Sequence, residues 1–412
     1  MSNALTDGSG RLAEIRSLNR HLVSAEDAKI LKVVAMVDAL PQRGQADALI
    51  APLRMRLAQL RPRRPLSGVR LLFVPLDPVL VPAPRWRRGA MTVPRTVIQP
   101  LVRQLERLEP GLVERANQEV LGSSTVDHAV LARVGMPLWA RASALLAGTA
   151  PPPEWADATG LGAEDHRALR DIVVLVLRHA PAIARQVMQR EPDSKVIGTI
   201  LTEAAAMPEA MGALVTVLMH WVPGAAGQVL SATTARDAPT GVAGRVATER
   251  AVEQVLERID AEQEVVQDGM AGLPDLRRTV ELLLELEANS IDRPARMARI
   301  GATRGKLEGA ARLRFQKMVD DVAAGPLAQG LPQEPDAIAA LETAARDIRR
   351  FETVARRISG SDHYDRQLRG LMDNLAPRTS DDNEARVERL RVAEILLGSE
   401  RALQMLMAAE KA

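Results

Sequence analysis

The feature that most constrains the fold of this chain is a helical period of apolar residues, interrupted at intervals by proline and glycine. Apolar side chains return every three or four residues through 163–190, 193–206 and 208–221, and again through most of the chain after 241. This period places apolar residues on one face of an α-helix, whereas a half-buried strand alternates with a period of two. We therefore predict an all-α fold, built as a multi-helix bundle or an array of helical hairpins.

The composition restricts the core of such a fold to aliphatic side chains. Only eight of the 412 residues are aromatic, so Leu, Val, Ile, Met and Ala must fill the interior. The shortage of flat rings also argues against a surface that stacks sugars or many unpaired bases. The composition favours close packing of helices through alanine.

The residue types that hold cofactors are absent or badly spaced. The chain has no cysteine, which excludes disulfides, thiolate zinc sites, iron–sulfur clusters and cysteine nucleophiles. Its six histidines show none of the spacings that place two metal ligands on one helix face. We expect no cofactor and no metal site, and we identify no catalytic residue.

Shifts in composition divide the chain into four parts. We predict an N-terminal helical domain over 1–148, a central helical region over 154–222, a flexible linker over 223–245 and an antiparallel helical bundle over 246–412. The linker is predicted because Gly, Ala, Thr and Ser dominate this segment and charges are few. No repeat of fixed length supports a named solenoid family.

One segment of the N-terminal domain does not follow the helical period. Residues 69–84 are apolar and β-branched, but they contain four prolines, Pro75, Pro78, Pro82 and Pro84. Proline fixes φ and removes a backbone donor, so a central strand is excluded. We predict an extended strap that lies over the helices.

Positive charge is concentrated in one part of the chain. The formal net charge is +2, yet the segment from Pro41 to Leu105 contains twelve arginines and two acids. Guanidinium groups beside an indole can bind phosphates or carboxylates and can make cation–π contacts. We predict a polyanion-binding set within Arg54–Arg95 that consists of Arg61, Arg63, Arg64, Arg85, Trp86, Arg87, Arg88 and Arg95. The alternative is that acids elsewhere in the fold neutralise these arginines.

A second basic stripe follows from the period of residues 294–322. On one helix, five cations fall within about 80° of arc: Arg296, Arg299, Lys306, Arg314 and Lys317. The same stretch contains Gly301, Gly305 and Gly309, which together cost a helix roughly 3 kcal/mol relative to alanine. We therefore predict a break between two shorter helices, which would disperse the stripe.

Three functional classes remain open. The first is a non-enzymatic helical scaffold or regulatory adaptor that binds another protein. The second is a nucleic-acid or polyanion-binding protein that uses the basic segment Arg54–Arg95. The third is an enzyme with an unrecognised helical active site, in which Arg85, Arg87 and Arg88 bind an anionic substrate.

Location is predicted from the apolar segments. No apolar run follows the basic residues near the start of the chain, and the uncharged stretch from Ala210 to Ala235 is interrupted by Pro223 and Gly224. We predict no transmembrane segment and a cytoplasmic location. The ratio of 48 arginines to 6 lysines is typical of a GC-rich bacterial genome. A homo-oligomer is compatible with all of these features.

Overall fold

The computed structural model describes residues 66–120, 128–235, 238–267, 273–324, 327, 335–375, 383–400, 402, 403 and 407. The chain divides into two compact units. One contains Met1–Leu66 and Leu121–Val126, and the other contains Ser67–Val120 and Asp127–Ala412. Every element described below belongs to the second unit. The predicted N-terminal domain over 1–148, central region over 154–222 and C-terminal bundle over 246–412 stay predictions as domain divisions.

Short elements come first in this unit. They are α1 (Gly68–Phe73), a 3-10 segment (Val74–Val79), β1 (Leu80–Val81), β2 (Val93–Pro94), α2 (Ile98–Leu108) and α3 (Leu112–Glu119), with further 3-10 turns at Ala83–Arg85 and Arg95–Val97.

Longer helices follow, and they confirm the predicted all-α class. They are α4 (Met136–Leu146, reached through His128–Val130 and a π-helical turn at Leu131–Gly135), α5 (Trp155–Thr159), α6 (Ala163–Val187), α7 (Ser194–Ala204), α8 (Pro208–Trp221) and α9 (Ala225–Thr234). The last six are α10 (Gly241–Gln267), α11 (Leu273–Ala288), α12 (Pro294–Ala324), α13 (Pro335–Ala355), α14 (Asp362–Leu375) and α15 (Asn383–Leu397).

Alternate helices in this series run parallel to each other. Three ion pairs join α10 to α12, and the paired residues stay 46 or 47 positions apart along both helices. A constant separation means that the two helices advance in the same direction, whereas antiparallel helices would have a constant sum of residue numbers. Between α9 and α11 the contacts also advance together, from Gly224 with Glu285 to Gly227 with Asn289. Helices α9 to α12 are therefore stacked as helical hairpins.

The core is aliphatic, and its few rings are individually accommodated. Trp139 is fully buried, and its indole N–H donates to the backbone oxygen of Leu71 at 2.9 Å. Tyr364 is also fully buried; its hydroxyl lies 2.8 Å from the hydroxyl of Ser359, and its ring meets Phe315 edge-on at 4.8 Å. The polar atoms of Trp139 and Tyr364 thus each have a hydrogen-bond partner.

The predicted extended strap over 69–84 is wrong in its backbone. Most of it is helical, because α1 and the 3-10 segment occupy Gly68–Val79 and only Leu80–Val81 is a strand. Pro75 lies in the first turn of the 3-10 segment, where a missing N–H removes no hydrogen bond. Leu71, Leu76 and Val79 are fully buried, and local helical hydrogen bonds satisfy a backbone that enters the core.

The predicted flexible linker over 223–245 is also wrong. Helix α9 occupies Ala225–Thr234, and α10 begins at Gly241. Ala225, Ala226 and Val229 are fully buried, so small residues here allow close packing rather than flexibility. The carboxylate of Glu285 accepts the backbone N–H groups of Gly224 at 2.8 Å and Ala226 at 3.3 Å, which caps the helix from outside the segment.

The predicted break within 294–322 does not occur. Helix α12 is continuous from Pro294 to Ala324. Gly301, Gly305 and Gly309 lie on its exposed side, and a Cβ at each would meet no atom within 4 Å. The opposite side buries Ile300, Leu307, Ala311 and Phe315. Tertiary packing of this side outweighs the poor helix propensity of the glycines.

One helical stretch passes a composition test for a membrane span. His128–Leu146 is long and apolar enough, and half of its most apolar window is buried inside the protein. Core helices of soluble proteins pass the same test. The absence of a transmembrane segment stays a prediction.

Two glycine substitutions test the packing described above. In α8, a Cβ on Gly212 would lie 1.6 Å from the sulfur of Met91, which is itself buried. We expect Gly212→Ala to lower the free energy of unfolding by about 1–3 kcal/mol, because Met91 must leave its packed position. Gly305→Ala, on the open face of α12, is the control and should raise it by about 0.5–1 kcal/mol.

Chemical denaturation of the two variants measures both effects. Adding Met91→Ala to Gly212→Ala should cost less than the sum of the two single substitutions, because the clash disappears. Strictly additive energies would contradict the contact.

Candidate functional site

The basic loop, defined as residues 82–95, projects from a closed base. Leu80 pairs with Val93 and Val81 with Pro94 in a short parallel bridge between β1 and β2. Near the end of the loop, Met91 packs against Gly212 of α8. The loop is therefore attached to the helical array at both of its ends.

Three arginines of the basic loop are exposed, and no acid among the described residues lies close enough to pair with them. Arg85, Arg87 and Arg95 form no ion pair with any acid in the part of the chain that the structure describes. Arg87 donates from Nη1 to the backbone oxygens of Pro84 and Trp86, both at 2.8 Å. These bonds orient its guanidinium without neutralising its charge.

Arg88 has a different role. Its guanidinium binds both carboxylate oxygens of Asp165 at 2.7 Å, and Glu164 lies 3.7 Å away. Asp165 is buried and also accepts the backbone N–H of Gly162 at 3.2 Å, at the start of α6. The hydrogen bond that Arg88 donates to Asp165 raises the pKa of Arg88. Arg88 thus ties the basic loop to α6.

Trp86 supports the loop from within. Its ring is half-buried, and its indole N–H donates to the backbone oxygen of Thr92 at 3.2 Å. This bond spans the loop and fixes the turn that displays the neighbouring arginines. Arg61, Arg63 and Arg64 of the predicted polyanion-binding set lie outside the described residues.

The second basic stripe is largely neutralised by α10. Arg296 is buried in an ion pair with Glu249, Arg299 binds Glu253 at 2.8 Å, and Lys306 binds Asp260 at 2.7 Å. These acids lie 46 or 47 residues earlier in the chain, so no local pattern relates them to the cations. The constant separation identifies these three acids only once α10 is known to pack beside α12.

The remaining two cations of the stripe are separated from the first three. Lys317 is exposed. Arg314 lines a cavity of about 230 Å³ together with the apolar side chains of Val266, Leu276 and Phe351. The structure therefore does not assemble the five cations into one anion-binding surface.

The structure also bears on proton transfer by histidine and on metal binding. His166 is buried edge-on against Trp155, and burial lowers its pKa to about 4, so this ring is neutral at physiological pH. Among the described residues, no group of three or more His, Cys, Asp or Glu side chains is arranged to hold a metal ion.

Comparison of the chain with protein families, with curated proteins and with solved structures yields no match.

The contrast between Arg88 and Arg87 generates a stability prediction. Arg88→Gln should lower the melting temperature, because it removes the counter-charge of the buried Asp165 carboxylate. Arg87→Gln should leave it unchanged, because Arg87 binds only loop carbonyl groups. Differential scanning fluorimetry of the two variants measures both melting temperatures. Equal values would refute the claim that the ion pair of Arg88 with Asp165 attaches the basic loop to α6.

The ion pairs between α10 and α12 lead to a prediction about the pH dependence of stability. Burial alone raises the pKa of Asp260, but hydrogen bonds from Lys306 and Thr303 and the charge of Arg299 lower it below its usual range. Its stabilising contribution is therefore present above the unfolded-state pKa of about 3.9 and is lost as the pH falls through the lower folded-state value.

We expect Asp260→Asn to lower the free energy of unfolding by about 1 kcal/mol at pH 7. The effect is modest because solvent screens the half-exposed Lys306. In acid, the difference from the unmodified protein should vanish. Urea denaturation across the pH range measures it. Asp347→Asn, whose partner Arg350 lies 3.6 Å away on an exposed surface, is the control. A gap that persists undiminished at low pH would contradict the assignment.

Proposed function

We propose that this protein is a non-enzymatic helical scaffold that binds another protein, and that the basic loop contacts an acidic segment of that partner. The observation that carries the proposal is the set of three exposed arginines that no described acid pairs, on a loop whose base is anchored to the helical array.

The anchoring of the basic loop favours recognition of a partner. The bridge of β1 with β2, the burial of Met91 and the ion pair of Arg88 with Asp165 hold the loop in one shape before any partner arrives. A preformed loop loses little conformational entropy on binding. Arginine is also enriched in protein interfaces, because its planar fork binds carboxylates through two hydrogen bonds.

The array of hairpins supports the same proposal. Stacked helical hairpins contact mainly their neighbours and leave long helix faces available to partners. On this protein those faces include exposed apolar side chains such as Val242 and Val246 of α10 and Leu313 of α12. Such side chains add contact area to an interface that begins with charge attraction.

Nucleic acid is the second candidate partner, because the same three arginines could contact phosphates. In duplex DNA each neutralised phosphate contributes about −0.9 to the log–log salt slope, so the loop alone would account for a slope of at most about −2.7. The second basic stripe adds little, since acids of α10 already neutralise most of it. A carboxylate-rich protein segment suits a small cluster of arginines better than a long phosphate backbone.

A charge-matched pair of triple variants tests the proposal. The loop variant carries Arg85→Gln, Arg87→Gln and Arg95→Gln, and the control carries Arg185→Gln, Arg190→Gln and Lys317→Gln at exposed positions elsewhere. Fluorescently labelled poly-L-glutamate serves as the protein-like anion and a random DNA duplex as the competitor class, with affinity measured by anisotropy at two salt concentrations.

We expect the loop variant to bind poly-L-glutamate about tenfold or more weakly than the unmodified protein, and the control to bind nearly as well. Equal loss in both triple variants would show that net charge alone is responsible and would refute the proposal. Tighter, loop-dependent binding of the duplex would establish the second candidate instead. The cytoplasmic location and the oligomeric state stay predictions.

A further inference from the structure

Three exposed aliphatic residues form an apolar patch at the start of α10. The apolar patch consists of Val242 and Val246 on α10 and of Ile291 in the turn before α12. These residues are 65%, 45% and 73% exposed. Single exposed aliphatic residues are ordinary on a protein surface, but a group of them marks a candidate contact surface.

The register of α10 and α12 brings the three residues of the apolar patch to one level. Val242 and Val246 are four residues apart and so lie on the same face of α10. Paired residues of α10 and α12 are 46 or 47 positions apart. Extended back by one turn, this separation places Ile291 between Val242 and Val246 along the helix axis. Glu249, on the same face of α10, lies 3.9 Å from Arg293, which follows Ile291 closely.

The base of the basic loop adjoins the same turns of α10. A Cβ on Gly212 of α8 would lie 1.6 Å from the sulfur of Met91 and 3.2 Å from the backbone oxygen of Ala247. Met91, near the end of the basic loop, therefore packs where α8 and α10 meet. Ala247 follows Val246 directly in the chain. One segment of a partner can thus contact both the basic loop and the apolar patch.

Cations outnumber acids around the apolar patch. Arg250 is exposed and Arg245 is half-buried, and neither forms an ion pair with an acid of the described residues. Glu249 is already engaged by Arg296. Two further exposed acids, Glu209 and Asp292, are fewer than the cations, which are Arg245, Arg250 and Arg293 together with Arg85, Arg87 and Arg95 of the basic loop. An apolar centre with a basic rim is complementary to a segment that carries apolar side chains between acids.

We propose that the apolar patch and the basic loop together bind one amphipathic acidic segment of the partner protein. This inference rests on the proposed function and adds a second contact to it. Apolar side chains of the segment cover Val242, Val246 and Ile291, and its carboxylates reach Arg245, Arg250 and the arginines of the basic loop. Exposed ion pairs add little affinity because solvent and salt screen them. Burial of the apolar patch supplies affinity, and the arginines select acidic partners.

Two labelled peptides of equal charge test the second contact. One consists of four Glu-Leu-Leu-Glu repeats, and the other has serine in place of every leucine. Fluorescence anisotropy measures their affinities for the whole chain. We expect the leucine peptide to bind about tenfold or more tightly than the serine peptide. This ratio should persist at high salt, because burial of apolar surface is not screened. Equal affinities of the two peptides would overturn the proposal.

Matched variants locate the second contact. The α10 variant carries Val242→Ser and Val246→Ser and should lose most of the preference for the leucine peptide. The control carries Leu313→Ser and Val387→Ser, at positions that are 56% and 61% exposed elsewhere on the described chain, and should keep the preference. Because all four positions are exposed, both variants should melt as the unmodified protein does. A preference that survives in the α10 variant, or is lost in the control, would overturn the proposal.

The loop variant, with substitutions at Arg85, Arg87 and Arg95, separates this inference from the proposed function. It should bind both peptides more weakly and keep the preference for leucine. Unchanged affinity of the loop variant for the serine peptide would refute the proposed function and with it the shared site. An unchanged preference in the α10 variant would refute this inference alone.

Sedimentation velocity tests a second copy of this chain as the occupant of the apolar patch. The α10 variant should sediment as the unmodified protein does. Dissociation of an oligomer in this variant, but not in the control, would overturn the proposal.

Photocross-linking maps the contact on the unmodified protein. The probe is the leucine peptide with benzoylphenylalanine in place of one leucine. We expect cross-links within residues 241–250 or at Ile291, identified by mass spectrometry after digestion. Cross-links that form instead at Leu313 or Val387 would overturn the proposal, because these residues are equally exposed but remote in the chain from the apolar patch.

Discussion

The structure depends on one requirement: each amphipathic helix must have its apolar stripe covered by helices from neighbouring hairpins. With few aromatic rings available, coverage comes from aliphatic side chains and from small residues that let backbones approach. Helix α12 shows the strength of this requirement. Its buried side, with Ile300, Leu307 and Phe315, keeps the helix continuous through three exposed glycines that would weaken it in isolation.

Charge follows from this arrangement of helices. Because α10 and α12 run parallel with a constant separation, Glu249, Glu253 and Asp260 meet Arg296, Arg299 and Lys306 in order. These pairs neutralise cations that would otherwise form an anion-binding stripe. Within the part of the chain that the structure describes, Arg85, Arg87 and Arg95 of the basic loop keep exposed positive charge that no acid pairs. On the basic loop, solvent already stabilises Arg85, Arg87 and Arg95, so a partner must offer several carboxylates to compete with water.

Local patterns in the sequence were sufficient to predict the all-α class and helices such as α6, α7 and α8, because a helical period is a property of neighbouring residues. They also singled out Arg85, Arg87 and Arg95, whose role in binding an anion stays a prediction. Local patterns were misleading for residues 223–245, where small side chains signify close packing, and for 69–84, where prolines fit helical turns. They could not show that Arg88 is paired, or that Arg296, Arg299 and Lys306 are neutralised. Those outcomes depend on acids many residues away, and only the packing of the helices decides which charges come within bonding distance.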